Sequence, residues 1–308
     1  MSTAPPSPRA ARWLPAYLAL AVIWGCSFLF IEVGLESFTP AGVTLSRIAM
    51  GLLAVAFLSL ATRVALPPRW AWGPLFIASL LWVAIPWTLF PIAQTMVTSS
   101  LAGIINAVTP LMTLLAIMIA FPEERPTRRR IIGLFVGFLG ILIVIGVWNL
   151  REDTSSLAGV GLLLIAVACY GIAFPYARRY LTGPTVREPL HPLALATGML
   201  VWGVLTTAPI VAITGVISAP VTWASALSVI LLGVLGSGIA YALNFFVTQN
   251  ADATTASTVT YLTPLVAVTM GALVLSEPVT WNELIGGVVV VIGAATAQGL
   301  LRWSRESR

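Results

Sequence analysis

The chain has 308 residues, of which 58% are hydrophobic and only 9% charged, and its mean hydropathy is +0.97. That leaves too little polar surface to clothe a water-soluble fold of this size, which excludes a soluble enzyme or binding module and makes the chain integral to a membrane. The formal net charge of +5 does not point to nucleic acid, because the 16 basic residues are all arginines, scattered in ones to threes between apolar runs.

A membrane-crossing helix needs about 20 mainly apolar residues. Ten such stretches follow one another, at 13–35, 40–60, 71–95, 99–121, 130–148, 157–179, 192–216, 222–247, 253–275 and 282–301. The first is too long for a cleavable signal peptide. None alternates as a barrel strand would, so the backbone satisfies itself in lipid by forming helices. The expected fold is all-α integral membrane, with ten transmembrane helices as two inverted five-helix repeats.

The duplication is visible in the residues. Thr109-Pro110-Leu111 in the fourth span returns as Thr263-Pro264-Leu265 in the ninth, at an offset of 154. Each copy leads into a turn of one design: Glu124, Thr127, Ile132, Gly133 and Gly140, then Glu277, Thr280, Ile285, Gly286 and Gly293 at an offset of 153. Five spans per repeat is an odd number, so the second copy enters the membrane from the opposite side. The resulting layout is a cytoplasmic tail at 1–12, a repeat at 13–148, an external linker at 149–156, a repeat at 157–301 and a cytoplasmic tail at 302–308. Of the 16 arginines, only Arg151 falls in an outer loop, Arg47 falls within a helix, and the other 14 lie on the cytoplasmic side. The excess of arginine on one side places both termini in the cytoplasm of the cell membrane.

Polar groups inside apolar spans are the candidates for function. The first span carries Trp24, Ser27 and Glu32, and the second carries Arg47. Charges in a bilayer are costly, and the short loop from Glu36 to Thr39 makes these two spans neighbours. An ion pair between Glu32 and Arg47 is the favoured reading; the alternative has Arg47 binding a substrate carboxylate and Glu32 carrying a proton or an amine. The third span presents an aromatic face with a polar end, made of Val83, Trp87, Phe90 and Gln94. In the fourth, Pro110 deletes a backbone hydrogen bond and frees the carbonyl of Asn106; in the ninth, Pro264 does the same for Thr260. Paired interruptions in inverted halves point to a transporter's binding site, with a simple packing kink as the alternative. Tyr170 in the sixth span is a further candidate. In the eighth, Ser237, Tyr241, Asn244 and Thr248 form one polar stripe that matches the third-span face at an offset of 154, lining a cavity or serving interhelical packing.

Other features read as structural. Thr127 and Thr280 cap helices, and Thr280 with Glu283 completes a capping box. Asp252 caps the ninth span, and His191 sits at an interfacial helix entry. Gly133 with Gly137, and Gly286 with Gly293, allow close helix approach, within the chain or between protomers. Cys26 and Cys169 pack as small hydrophobes. Nothing calls for a metal, a cofactor or a catalytic residue. Ser237 between Gly236 and Gly238 lacks a base to activate it, and a chain without lysine has no phosphate-binding loop of the usual kind.

The segment Trp24-Gly25-Cys26-Ser27-Phe28, the Arg47 helix, both Thr-Pro-Leu sites and both Glu-x-x-Thr turns together resemble the EamA family of the drug/metabolite transporter superfamily. The resemblance implies two inverted five-helix bundles, a central cavity lined by spans one, three, four, six, eight and nine, and export of small metabolites. The expected function is thus a secondary exporter of amino acids or related amphipathic solutes working by alternating access, in a bacterial inner membrane. The competing class is a non-transport membrane protein, either an intramembrane enzyme or a receptor or structural subunit. The expected partners are a small-molecule substrate and the lipid bilayer, with a homodimer compatible and nucleic acid excluded.

Overall fold

A computed structural model describes residues 10–120, 127–145, 154–183, 186–250 and 258–297. Ten helical spans follow in order: α1 (Ala10–Leu35), α2 (Pro40–Ala61), α3 (Arg69–Gln94), α4 (Ser99–Ile119), α5 (Arg128–Ile145), α6 (Leu157–Thr182), α7 (Pro192–Thr214), α8 (Trp223–Asn250), α9 (Val259–Val274) and α10 (Trp281–Ala297). They coincide with the ten apolar stretches of the sequence. Seven are long and apolar enough to cross a membrane, and the described parts of α5, α9 and α10 are shorter apolar helices. Glu124 and Asp252 lie outside the described residues.

Helix starts follow local chemistry. The Thr39 hydroxyl accepts the Gly42 N–H at 2.9 Å just before Pro40, and Thr98 accepts the Leu101 N–H at 3.2 Å. Thr222 and Ser225 cap each other reciprocally, and His191 Nδ1 accepts the Leu193 N–H at 3.2 Å. Each supplies an acceptor to a first-turn N–H that has no partner within its helix. Thr127 stands at the position before α5, its carbonyl accepting from Ile131 N–H at 3.2 Å. At the start of α10, Glu283 accepts the Thr280 N–H at 3.0 Å, the carboxylate half of the expected capping box.

The packing of the helices carries the signature of a pseudo-two-fold axis. Three helices pack on their own counterparts: α2 on α7, α4 on α9 and α5 on α10. The other pairings exchange, with α1 lying against α8 and α9 while α6 lies against α3 and α4. The first helix of each repeat therefore crosses into the other repeat, and the halves are interleaved instead of standing side by side.

The α5–α10 seam explains the glycine pairs. A methyl group added at Gly140 would lie 2.6 Å from the Val290 nitrogen, and one at Gly293 would run into the Gly137 backbone. Backbone here meets backbone, so these glycines serve contact within the chain. Gly293→Leu should lower the melting temperature of the purified protein by several degrees, from an overpacking cost of roughly 1–3 kcal/mol. Gly161→Ala, with no neighbour within 4 Å of the added carbon, should leave melting unchanged; equal behaviour of the two variants would refute the seam.

Candidate functional site

Where the interleaved helices converge they leave a cavity in which about 50 Å³ can take the centre of a water molecule. At roughly 10–15 Å³ per water, that is a narrow slot for a few waters. From α1 it receives Trp24, Ser27, Phe28 and Ile31, from α3 Trp82, Trp87 and Phe90, and from α6 Tyr170 and Phe174. Asn106 and Thr109 of α4, Tyr241 of α8, Thr260 of α9 and Arg47 of α2 complete it. Tyr241 sits at the centre of the aromatic wall, with ring centroids 5.7 Å from Trp24, 5.9 Å from Trp82 and 5.3 Å from Trp87. Edge-on contacts of this kind hold each ring rigidly.

The sequence candidates divide. Trp24, Ser27, Trp87, Asn106, Tyr170, Tyr241 and Thr260 share this cavity. Gln94 does not: it lies at the end of α3, where its Nε2 donates to the Phe28 carbonyl at 3.0 Å and to Glu32 Oε2 at 3.2 Å. Ser237 is fully buried behind the wall. Asn244 is also fully buried, outside the cavity, and its side-chain amide has no hydrogen-bond partner among the described residues. The polar stripe of α8 thus faces the cavity only at Tyr241. Trp82 was not singled out by the sequence, since an aromatic residue in an apolar run carries no signal of its own.

Both Thr-Pro sites interrupt their spans. In α4, helical segments Ser99–Asn106 and Thr109–Ala120 meet at the break; in α9, the 3-10 turn Thr258–Tyr261 precedes the helix Thr263–Val274. The carbonyls freed by Pro110 and Pro264 are not open acceptors, which corrects the sequence expectation. The Thr109 hydroxyl donates to the Asn106 carbonyl at 2.7 Å, and the Thr263 hydroxyl donates to the Thr260 carbonyl at 2.9 Å. The threonine beside each proline repairs the bond that the proline removes. Asn106 Nδ2 donates to Thr263 Oγ1 at 3.2 Å, tying the two breaks together across the repeats.

The same logic holds in α3. Pro86 frees the carbonyl of Trp82, which accepts from the Tyr241 hydroxyl at 3.2 Å. Pro91 frees that of Trp87, which accepts from Thr44 at 2.6 Å. Two π-helical turns add to this, at Leu80–Ala84 in α3 and Val234–Ile239 in α8, starting 154 residues apart as the repeat requires. Such turns shift the register of side chains along a helix and concentrate at functional sites. Here they flank the cavity, with Trp82 on one and Ser237 on the other.

Glu32 and Arg47 do not pair, against the favoured expectation. Glu32 lies one turn from the end of α1 and Arg47 two turns into α2, so at 1.5 Å per residue they stand at different depths. Arg47 is 4% exposed; its Nε donates to Ser237 Oγ at 3.1 Å and its guanidinium carbon lies 3.9 Å from the Trp87 ring centroid. Glu32 instead faces a wider opening of about 600 Å³ that it shares with Glu36, Gln94, Glu277 and Glu283.

Both halves of the chain match the model of one family, the EamA-like transporter family, over residues 11–146 and 157–297. The chain belongs to the EamA-like transporter family. This EamA chain is similar to an uncharacterized transporter of Bacillus subtilis (YdfC), at 26% identity over 88% of this chain and 86% of the relative. It is also similar to an uncharacterized inner membrane transporter of Escherichia coli (YedA), at 28% identity over 89% of this chain and 87% of the relative. A solved crystal structure of a protein superimposes with a TM-score of 0.67 at 18% identity, covering 95% of this chain and all of that one, which shows the shared fold. The protein is a multi-pass membrane transporter, not an enzyme.

The acidic opening of this EamA transporter also contains a contact that joins its repeats. Glu277, in the turn between α9 and α10, reaches the start of α4: its carboxylate accepts the Ser99 N–H at 2.9 Å, the Ser100 N–H at 3.1 Å and the Ser100 hydroxyl. A carboxylate is well placed there, because unpaired N–H groups give a helix start a partial positive charge. Ser276 adopts a left-handed conformation (φ 56°) to turn the chain toward this contact.

Replacing Thr109 or Thr263 by valine leaves a proline-freed carbonyl without its donor. Each substitution should destabilise the purified transporter by about 1–3 kcal/mol, read as a drop in melting temperature. Thr269→Val serves as control, since Thr269 bonds to Leu265 from an exposed helix face without a proline, and it should have little effect. An equal drop in all three would refute the repair role.

Proposed function

We propose that this transporter is a secondary exporter of small amphipathic metabolites, amino acids or their relatives, and that it works by alternating access. The observation that carries the proposal is the cavity itself, which lies at the level of both helix breaks and takes side chains from both repeats. A site on a pseudo-two-fold axis between inverted repeats can be exposed to either side by rocking the same elements in opposite senses. Trp24, Ser27, Trp87, Asn106, Tyr170, Tyr241 and Thr260 form the substrate site in this reading, with Pro110 and Pro264 as its flexible points. Gln94, Ser237 and Asn244 support it from outside the slot. An aromatic lining with a few neutral polar groups favours solutes with an apolar body and a polar head.

The cell membrane is the proposed location, with both termini in the cytoplasm and the acidic opening facing outward. The arginine bias supports this orientation, and the name of the Escherichia coli relative supports an inner membrane. Single cysteines at Thr127 and Thr154 test it: a membrane-impermeant thiol reagent added to intact cells should label the second and not the first. The reverse pattern would invert the topology.

Counterflow in proteoliposomes, loaded in turn with amino acids, purines and cationic drugs, tests the function. Accelerated exchange of at least one solute is expected over protein-free vesicles. Asn106→Leu and Thr260→Val should each change the rate or the solute preference by roughly tenfold, the effect of one lost hydrogen bond of about 1.4 kcal/mol. Unchanged flux and preference in both would remove these residues from the site.

A further inference from the structure

We infer that Arg47 is the seat for a carboxylate, and that the solute this cavity takes is an organic monocarboxylate with a flat apolar body. The inference rests on the transport proposal for its biological sense and moves its substrate class from amino acids to their relatives without an amine. Of the 14 side chains that line the cavity, Arg47 alone carries a full charge. It is buried, and no carboxylate among the described residues pairs with it; Glu32, the obvious partner, is engaged by Gln94 at the acidic opening.

A guanidinium has five N–H donors in a planar fork. One of Arg47's is taken, by Ser237, which donates in turn to the Leu232 carbonyl at 3.2 Å. One face of the plane rests on Trp87. These two contacts fix the position and tilt of the fork. The four N–H groups on its two terminal nitrogens have no acceptor among the described residues. Burying a charge in this way costs more than one hydrogen bond and one ring contact return, and a neutral side chain would fill the space without that cost. A preorganised fork with free donors in a water-poor slot is matched by a carboxylate, which accepts two parallel N–H bonds and neutralises the charge.

The rest of the lining defines the remainder of the solute. Phe90 and Tyr170 stack with centroids 6.0 Å apart, and the wall around Tyr241 is aromatic, so the surface beside the fork complements an apolar body once the slot widens to admit it. The lining holds no carboxylate to neutralise an ammonium group. A carboxylic acid without an amine is therefore favoured over the zwitterion of the same size.

Calorimetric titration of the purified full-length transporter in detergent tests this, using 3-phenylpropionate, 3-phenylpropionamide, phenylalanine, phenethylamine and 2-phenylethanesulfonate. The acid should bind at least tenfold more tightly than the amide and the amine, and more tightly than phenylalanine and the sulfonate. Arg47→Gln should erase the difference between acid and amide, while Arg47→Lys, which keeps the charge but loses the fork, should retain part of it. Equal binding of acid and amide by the native protein overturns the inference, as does tightest binding of the amine or the sulfonate. An acid preference that survives Arg47→Gln also overturns it. If the glutamine variant does not fold, the native series and the lysine variant decide. Proteoliposome counterflow separates the two readings: if no solute moves, transport as proposed fails while the titration still judges the carboxylate seat, and if only amines or neutral solutes move, the seat fails while transport stands.

Discussion

A backbone carbonyl that a proline strips of its helix partner inside a membrane needs another donor, because lipid supplies none. Four such carbonyls surround the centre of the bundle, and each has a hydroxyl: Asn106 from Thr109, Thr260 from Thr263, Trp82 from Tyr241, Trp87 from Thr44. This requirement fixes the geometry. It sets where α4 and α9 break, it aims Tyr241 across the cavity at α3, and it pins α2 against α3 at the level where Arg47 lies on Trp87.

Much of this was legible in the sequence. The ten spans follow from hydropathy, and the duplicated Thr-Pro-Leu located the centre because an identical tripeptide at a matching depth in two halves marks positions that symmetry brings together. Seven of the residues named from it and from the adjoining spans meet in one cavity. The role of the threonine in that tripeptide was not read, although its place one residue before the proline is the signal for it. A hydroxyl there can reach back three residues to the orphaned carbonyl.

Other features depend on rotation and neighbours that no single span encodes. A polar stripe on α8 suggests that Ser237, Tyr241 and Asn244 share a face, but the π turn at Val234–Ile239 displaces Ser237 from it, and of the three only Tyr241 lines the cavity. Glu32 and Arg47 looked like partners because their helices adjoin, yet each takes its partner from a helix further along the chain. Glu277 lies in a turn whose capping box, Thr280 with Glu283, was legible; Glu283 takes that local task, while Glu277 reaches α4 in the other repeat, which no local pattern encodes. Local chemistry was readable wherever the partner lies within one helical turn, and unreadable wherever the fold brings it from a distance.

The two classes of hydroxyl differ in what they connect. Thr109 and Thr263 return their donated bond to their own span, so each break carries its repair with it, and the Asn106 amide couples the two breaks through Thr263 Oγ1. The bonds from Tyr241 to Trp82 and from Thr44 to Trp87 run between spans and act as struts that lock α2, α3 and α8 into one girder. In the proposed transport cycle α4 and α9 are therefore the places to bend, and the girder travels as a single piece.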